Sequence, residues 1–547
     1  MTRTRHAHAI IPSPAGVEPV AGEPVALRTG DPLRYRDPRL ASLAARWADD
    51  LALCTGIGLH PVQDGTGGGG VEIHLVQDAS VLPAPVDTHG ISPSGGDPSD
   101  ERYRLTVGAR GVRVVAAAPE GVFRALSTLA QMIGAAAAAA GTDAAAVGLE
   151  PVEVHDAPRY AWRGLSLDVV RRFMPPAEVR DVIDELARFK FNVLHLHLTD
   201  NQGWRLEIPG LPKLTEIGGR GAVGDRPGGY YTRQEYAELV RYAAERFVTV
   251  VPEVDMPGHS AAAFAAYPGR LSSADTPIVG QPPMTLDPDD AQTMEFVRTV
   301  VESVAGATPG PHIHIGGDEA FGMDEEAYGR FVRQADAMAR NAGKSPVAWQ
   351  EASRGGVGAG GIVQYWMTGD PDAGMLDNAA EHGFDIPPEM LDQIRAGLAH
   401  ARGDLPRALD AGARILVTPT DHVYLDQPHA EPGPEAQEQR RKTVGLQLYK
   451  GLTLEEVQGW DPLALAPELT SEAQIAGVEA ALWCETVETF ADAQFLLQPR
   501  LACVAERAWS PRSVGDWGEF SRRLAERAPT WRRLGWDFFR ANSVRWS

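Results

Sequence analysis

The chain has 547 residues, 44% of them hydrophobic, and a formal net charge of −22. That length predicts roughly two to four domains, or one large barrel with an attached module. The acidic balance repels phosphate backbones and anionic bilayers, which excludes nucleic acid and anionic membranes as partners and favours a neutral or cationic substrate. Cys54, Cys484 and Cys503 form no CxxC pair and no zinc-finger spacing, so they read as buried, inert thiols. The stretch from Met1 to Val20 lacks the continuous apolar core of a secretory signal, and no later window gives an uninterrupted membrane-length apolar run. The expectation is a cytoplasmic protein, or a secreted one if a leader has been trimmed.

In chain order, Gly67 to Gly70 reads as a surface loop between short strands. Tyr103 to Val107 and Val112 to Ala116 alternate like a hairpin around Gly108 and Gly111. Gly121 to Ile133 reads as a helix, and the alanine-rich Gly134 to Ala146 as a break after it. Residues 1–155 therefore read as a small α+β accessory domain. From 156 to 547 strands alternate with amphipathic helices. Strand candidates are Leu165 to Val170, Asn192 to Leu198, Val248 to Val254, His312 to Ile315, Pro346 to Trp349, Ile362 to Trp366, Arg414 to Thr418 and Val478 to Trp483. Helix candidates include Pro176 to Phe189, with proline near its start, and Arg233 to Phe247. Eight such alternations predict an α/β fold of the (β/α)8 TIM barrel type, whose active site lies at the carboxyl ends of the strands. A doubly wound sheet is the runner-up, but no glycine-rich phosphate loop follows an early strand.

The strand ends collect carboxylates and tryptophans in alternation. They offer Asp168 with Arg171 and Arg172; Asp200; Glu253, Asp255 and His259; Asp318 and Glu319; Trp349 and Glu351; Trp366; Tyr424 and Asp426; and Trp483 with Glu485. Aromatic faces beside carboxylate acceptors suit a sugar, which has apolar C–H faces and a belt of hydroxyls. The adjacent acids Asp318 and Glu319, after two glycines, read either as acid/base groups or as caps of a helix beginning near Asp324. Their adjacency makes them an awkward conventional nucleophile and acid pair, because neighbouring side chains on extended backbone diverge.

Five segments in order carry a resemblance: Trp162-Arg163-Gly164, His195 through Arg205, Pro252 through His259, His314 through Glu319, and Leu482 through Glu485. Together they resemble the family 20 glycoside hydrolases, the β-N-acetylhexosaminidases. The resemblance implies an exo-acting enzyme that removes terminal N-acetylglucosamine or N-acetylgalactosamine from an amino-sugar oligosaccharide or glycoconjugate, with no cofactor and no metal. It implies that the substrate's 2-acetamido oxygen attacks C1 to form an oxazolinium intermediate, with net retention. On that basis Asp318 orients the acetamido group, Glu319 is the acid/base, Asp200 and His259 form a relay to Glu319, and Tyr424 donates to the acetamido oxygen. Arg163, Asp426 and Glu485 would hold the ring hydroxyls, and Trp349, Trp366 and Trp483 would wall the sugar.

Two other readings remain. His195 and His197 share a strand face and, with His259, resemble the ligand set of a metal-dependent amidohydrolase. A catalytically inactive carbohydrate-binding relative is the other. Asp370 to Met390 reads as a surface insertion or as a flap over the barrel mouth, and Gln427 to Gln439, rich in Pro, Glu and Gln, as a mobile loop.

Overall fold

The computed structural model describes residues 9–63, 69–76, 79–83, 100–141, 145–275, 282–368, 392, 395, 399–513 and 515–546. The segment 370–390, which the sequence reads as an insertion or flap, lies outside them, as do Gly67 and Gly68.

The accessory layer is a seven-stranded mixed sheet with two long helices, α1 (Ala41–Thr55) and α2 (Pro119–Ala140). The expected hairpin is its centre: Tyr103–Gly108 pairs antiparallel with Gly111–Ala116, and Tyr103, Leu105 and Val107 are buried in strict alternation. Helix α2 runs through the alanine tract rather than stopping at Ile133, because alanine is the strongest helix former and Ala135 to Ala137 bury against the sheet. It is long and apolar enough to cross a membrane, but 78% of its apolar window is buried inside the protein, as a core helix's would be.

The rest forms a closed barrel of eight parallel strands: β1 (Trp162–Asp168), β2 (Val193–His197), β3 (Thr249–Glu253), β4 (His312–His314), β5 (Ser345–Trp349), β6 (Ile362–Tyr365), β7 (Arg414–Val417) and β8 (Ile475–Leu482). Strand β8 closes on β1 with Ala480 opposite Leu165. All eight expected strands are present, with ends moved by a few residues. Helix α3 (Pro176–Arg188) follows β1, with proline in its first turn and Val179, Val182, Ile183 and Leu186 buried.

The barrel interior is layered. Trp162, Val193, Val251, Val347, Ile362, Leu416 and Ala476 make an apolar floor. Above it lies a layer of buried polar groups, His195, Glu253, His314, Gln364 and Glu479, and above that the mouth. Burial at 0% is tolerated by these polar side chains because they bond one another: His195 Nδ1 lies 2.9 Å from Glu479, and Gln364 donates to Glu479 at 2.9 Å.

The stretch expected to be a mobile loop is instead fixed. Glu435–Thr443 is a helix, Arg440 pairs with Asp492 at 2.9 Å and with Asp537, and His429 is fully buried and stacks on Phe539. Buried Arg500 donates to the carbonyls of Leu425, Gln427, Pro428 and Leu452, so its guanidinium replaces the backbone partners a loop lacks.

Candidate active site

The pair at the end of β4 does not cap a helix. Asp324 itself caps the helix Glu325–Asn341, accepting from the amides of Glu326 and Ala327. The turn between strand and pair needs its glycines. Gly316 has φ +70°, and a Cβ there would sit 1.9 Å from Asp255 Oδ1, while Gly317 (φ +110°) donates its amide to that same oxygen at 3.1 Å. This turn brings Asp318 and Glu319 to one imidazole: His259 Nε2 lies 3.7 Å from Asp318 and 3.6 Å from Glu319. His259 and Glu319 both hold positive φ, +51° and +47°, a strained backbone that is observed where geometry is dictated by a site.

Behind His259 runs a chain of charges. Its Nδ1 lies 3.2 Å from Asp200 Oδ1; Asp200 Oδ2 accepts from His197 Nε2 at 2.9 Å and meets Arg171 Nη2 at 2.7 Å; His197 Nδ1 lies 2.5 Å from Glu253. Burial opposes charge on every member, but the neighbours outweigh it. Arg171 and His259 hold Asp200 well below the usual carboxylate range. Asp200, Asp255 and Asp318 likewise lift His259 well above an ordinary histidine. Asp318 has no such surplus: burial, then the neighbouring Asp255, push its carboxyl well above the usual range. Burial likewise moves Asp255 to about 7.

The aromatic wall is assembled from four strand ends. Trp366 stacks on Tyr424 at 6.1 Å and 9°, Tyr424 meets Trp483 edge-on at 6.0 Å, and Trp483 lies 5.9 Å from Trp349. Trp349 is 1% exposed and donates to Glu253 at 2.7 Å, so it supports the wall from beneath more than it faces outward. Glu351 accepts from Trp366 Nε1 at 3.2 Å, and burial followed by Asp318 pushes its carboxyl up to about 8.

Several acceptors at this mouth are buried with no hydrogen-bond partner among the described residues: Asp318 Oδ1, both carboxylate oxygens of Asp426, and Glu485 Oε2. Such oxygens are costly unless a donor arrives. A ligand rich in O–H and N–H groups, with an apolar face for the tryptophans, supplies what they lack.

One expected site residue is elsewhere. Arg163 lies near the amino end of β1 and points away from the barrel interior, 1% exposed, donating to Glu101 and to the carbonyls of Lys190 and Tyr160. It is an anchor between barrel and accessory layer. The arginine at the mouth is Arg171, just beyond the carboxyl end of β1. It lies 5.3 Å over Trp483, bonded to Asp200 and Gln202, with Glu485 at 3.9 Å. Its position among the strand-end residues is the signal that identifies it. Tyr449, which no motif singles out, packs edge-on against Tyr424 at 6.3 Å. Burial, and after it Asp426, Glu319 and Glu485, raise its hydroxyl's pKa.

The histidines of the amidohydrolase reading are engaged differently. Among the described residues donor atoms do converge within 4.8 Å in three groups, such as His197, Glu253 and Asp255. Yet both nitrogens of His197 face carboxylates, and Glu253 and Asp200 raise its pKa well above normal against the opposition of burial. An imidazolium has no lone pair to give a metal, so His197 fits a charge network better than a zinc site.

A TIM barrel whose mouth is ringed by paired carboxylates, unpartnered acceptors and aromatic faces is that of a glycoside hydrolase. The sequence profile of the glycosyl hydrolase family 20 catalytic domain matches residues 160–387 and 398–512, and that of the family's domain 2 matches 7–157. A β-N-acetylhexosaminidase of Cellulomonas fimi is 35% identical over 548 residues, covering 98% of this chain and 97% of that one. The Streptomyces plicatus N-acetyl-β-hexosaminidase in complex with Thio-NAglucal superposes with a TM-score of 0.79 at 33% identity, covering 100% and 99% of the two chains. The Streptomyces coelicolor A3(2) β-N-acetylhexosaminidase gives 0.78 at 33% identity, with 99% of each chain covered. The chain belongs to glycosyl hydrolase family 20.

Proposed function

We propose that the chain is an exo-acting β-N-acetylhexosaminidase that removes terminal non-reducing N-acetylglucosamine or N-acetylgalactosamine by substrate-assisted, retaining hydrolysis. A mutant of the Streptomyces plicatus enzyme has been captured with GlcNAc as product, which supports an amino sugar as the bound group. The observation that carries the reading is the shared reach of Asp318 and Glu319 to His259, beside the unpartnered oxygens of Asp318, Asp426 and Glu485.

In the first step the acetamido oxygen attacks C1, the C1–O bond breaks, and Glu319 gives its proton to the departing oxygen. Asp318 Oδ1 accepts from the acetamido N–H and faces the positive charge that develops on the ring formed with C1. Burial disfavours charge on Asp318 in the free enzyme, and a cationic transition state reverses that preference, so the interaction is stronger there than in the ground state. Tyr424 donates to the acetamido oxygen. Water then attacks C1 from the face the aglycone left, gives its proton to Glu319, and the acetamido oxygen departs, restoring the β configuration. His259, held by Asp200, orients Glu319. Arg171, rather than Arg163, takes outer hydroxyls with Asp426 and Glu485, and Trp366 and Trp483 cover the apolar face.

The test is release of nitrophenol from the aryl N-acetylglucosaminide, N-acetylgalactosaminide and glucoside. Turnover of both amino sugars with very poor turnover of the glucoside is expected. A comparable rate on the glucoside overturns substrate assistance, and binding of N-acetylglucosamine without any release would favour a non-catalytic carbohydrate-binding protein.

A further inference from the structure

At the end of the barrel opposite the mouth, a cleft of about 90 Å³ opens between α1, α2, the last turns of α3 and the C-terminal helix Ala528–Leu534. Its walls are apolar and largely aromatic: Leu43, Trp47, Phe123, Phe189 and Trp531. The space is less than the roughly 150 Å³ that encloses a benzene ring, so the cleft takes at most one ring, with part of it at the open side.

The charges that reach this cleft are paired, with one exception. Arg188 holds Asp50 at 2.6 Å and Glu185 at 3.3 Å, Arg246 holds Asp184, and Glu185 also accepts from Trp531 Nε1 at 2.7 Å. Arg527 is 4% exposed, and no carboxylate among the described residues lies within ion-pair distance of it. Among those residues its side chain donates only to Gln131, at 3.3 Å and 3.5 Å, and its Nε is buried without any partner. Burial lowers its pKa only to about 10, so it stays charged at neutral pH. The Cys54 thiol in the same wall is pushed up to about 12 by burial and offers no competing anion. A buried, unpaired guanidinium carries a desolvation cost that an arriving anion offsets.

We propose that this cleft is a binding site for a small single-ring aromatic monocarboxylate, its ring held by Trp47, Phe123, Phe189 and Trp531 and its carboxylate by Arg527. The ligand bridges accessory layer, barrel and C-terminal helix, so binding also raises the stability of the folded chain.

Titration of the full-length enzyme with 4-fluorobenzoate, followed by fluorine NMR, tests the site. Saturable binding with a Kd of about 1 mM or tighter is expected for a ligand of this size. The isosteric, neutral 4-fluorobenzamide should bind at least about tenfold more weakly, the size of one charge-assisted bond. Arg527→Gln should weaken the benzoate by a similar factor. Ala130→Leu, which adds bulk to the cleft wall, should abolish its binding while leaving aryl N-acetylglucosaminide turnover unchanged. A thiazoline mimic of the oxazolinium should not displace it. Equal binding of the benzamide, displacement by the thiazoline, or no saturation by about 20 mM each overturns the site; the benzamide comparison needs no variant and stands even if Arg527→Gln fails to fold.

Discussion

Arg163 and Arg171 stand at opposite ends of one strand, and the two ends of the barrel treat buried charge in opposite ways. At the lower end Arg163 and Arg124 share Glu101, and Lys190 meets Asp156 at 2.8 Å, so each of these carboxylates has a cation. At the mouth the acids outnumber their partners, and oxygens of Asp318, Asp426 and Glu485 are left without a donor among the described residues. Satisfied buried charges join parts of a protein together. At the mouth the unsatisfied oxygens mark where a ligand is to be bound, and Arg527, at the lower end, is likewise without a carboxylate among the described residues.

Substitutions at each end separate activity from stability. The largest effect is expected for Glu319→Gln: kcat/KM on natural linkages should fall by about 10²–10⁴, the usual worth of a general acid, with little change in Tm. Near-full activity would remove Glu319 from its role. Arg171→Met should raise KM and lower kcat, about a hundredfold together in kcat/KM, since it loses charge-assisted bonds at the mouth. Arg163→Met should instead leave KM alone and cost about 1–3 kcal/mol of stability, because it leaves Glu101 with Arg124 alone and the carbonyls of Lys190 and Tyr160 without their donor. Denaturant unfolding and steady-state kinetics on the two variants would break the comparison if the effects were exchanged.

The smallest effect tests the aromatic wall's support. Glu351 keeps its proton up to about pH 8 in the folded chain, against an ordinary value of 4.5. Between those values the folded state holds a proton the unfolded state has released, so this group's contribution to stability falls as pH rises through that window and is flat above it. Glu351→Gln resembles the neutral form, so turnover near pH 6 should stay within about twofold. The variant's Tm should gain on the parent's as pH rises from 4.5 to 8. A constant Tm difference across that range would show that Glu351 is not neutral when folded.

Much of the fold is legible in the sequence because parallel barrel strands are apolar runs separated by amphipathic helices, and periodicity survives without tertiary information. Strand ends are less so: the pattern predicts Val478 to Trp483 where β8 begins at Ile475, since a fully buried strand shows no change of pattern at its boundary. Helix α2 reads as ending at Ile133 because an alanine run carries no amphipathic signal to extend it. The helix Glu435–Thr443 reads as loop because none of its residues is buried, and what fixes it is Arg440 reaching Asp492 and Asp537, 52 and 97 residues away.

The site divides in the same way. Asp200, His259, Asp318, Glu319, Tyr424, Trp366, Trp483, Asp426 and Glu485 can be named from motifs, because the residues near a strand's carboxyl end meet the mouth whatever the loops do. Arg163 cannot be told from Arg171 by motif alone, since which way a side chain points on β1 depends on the barrel's closure. Tyr449 and Arg527 carry no local signal. By itself the sequence determined the order of strands and helices, the family resemblance and the paired acids, all carried by short segments. Only the tertiary structure decided which charges are satisfied, because partners come from strands, helices and loops distant in sequence, and burial alone sets the cost of leaving one without a partner.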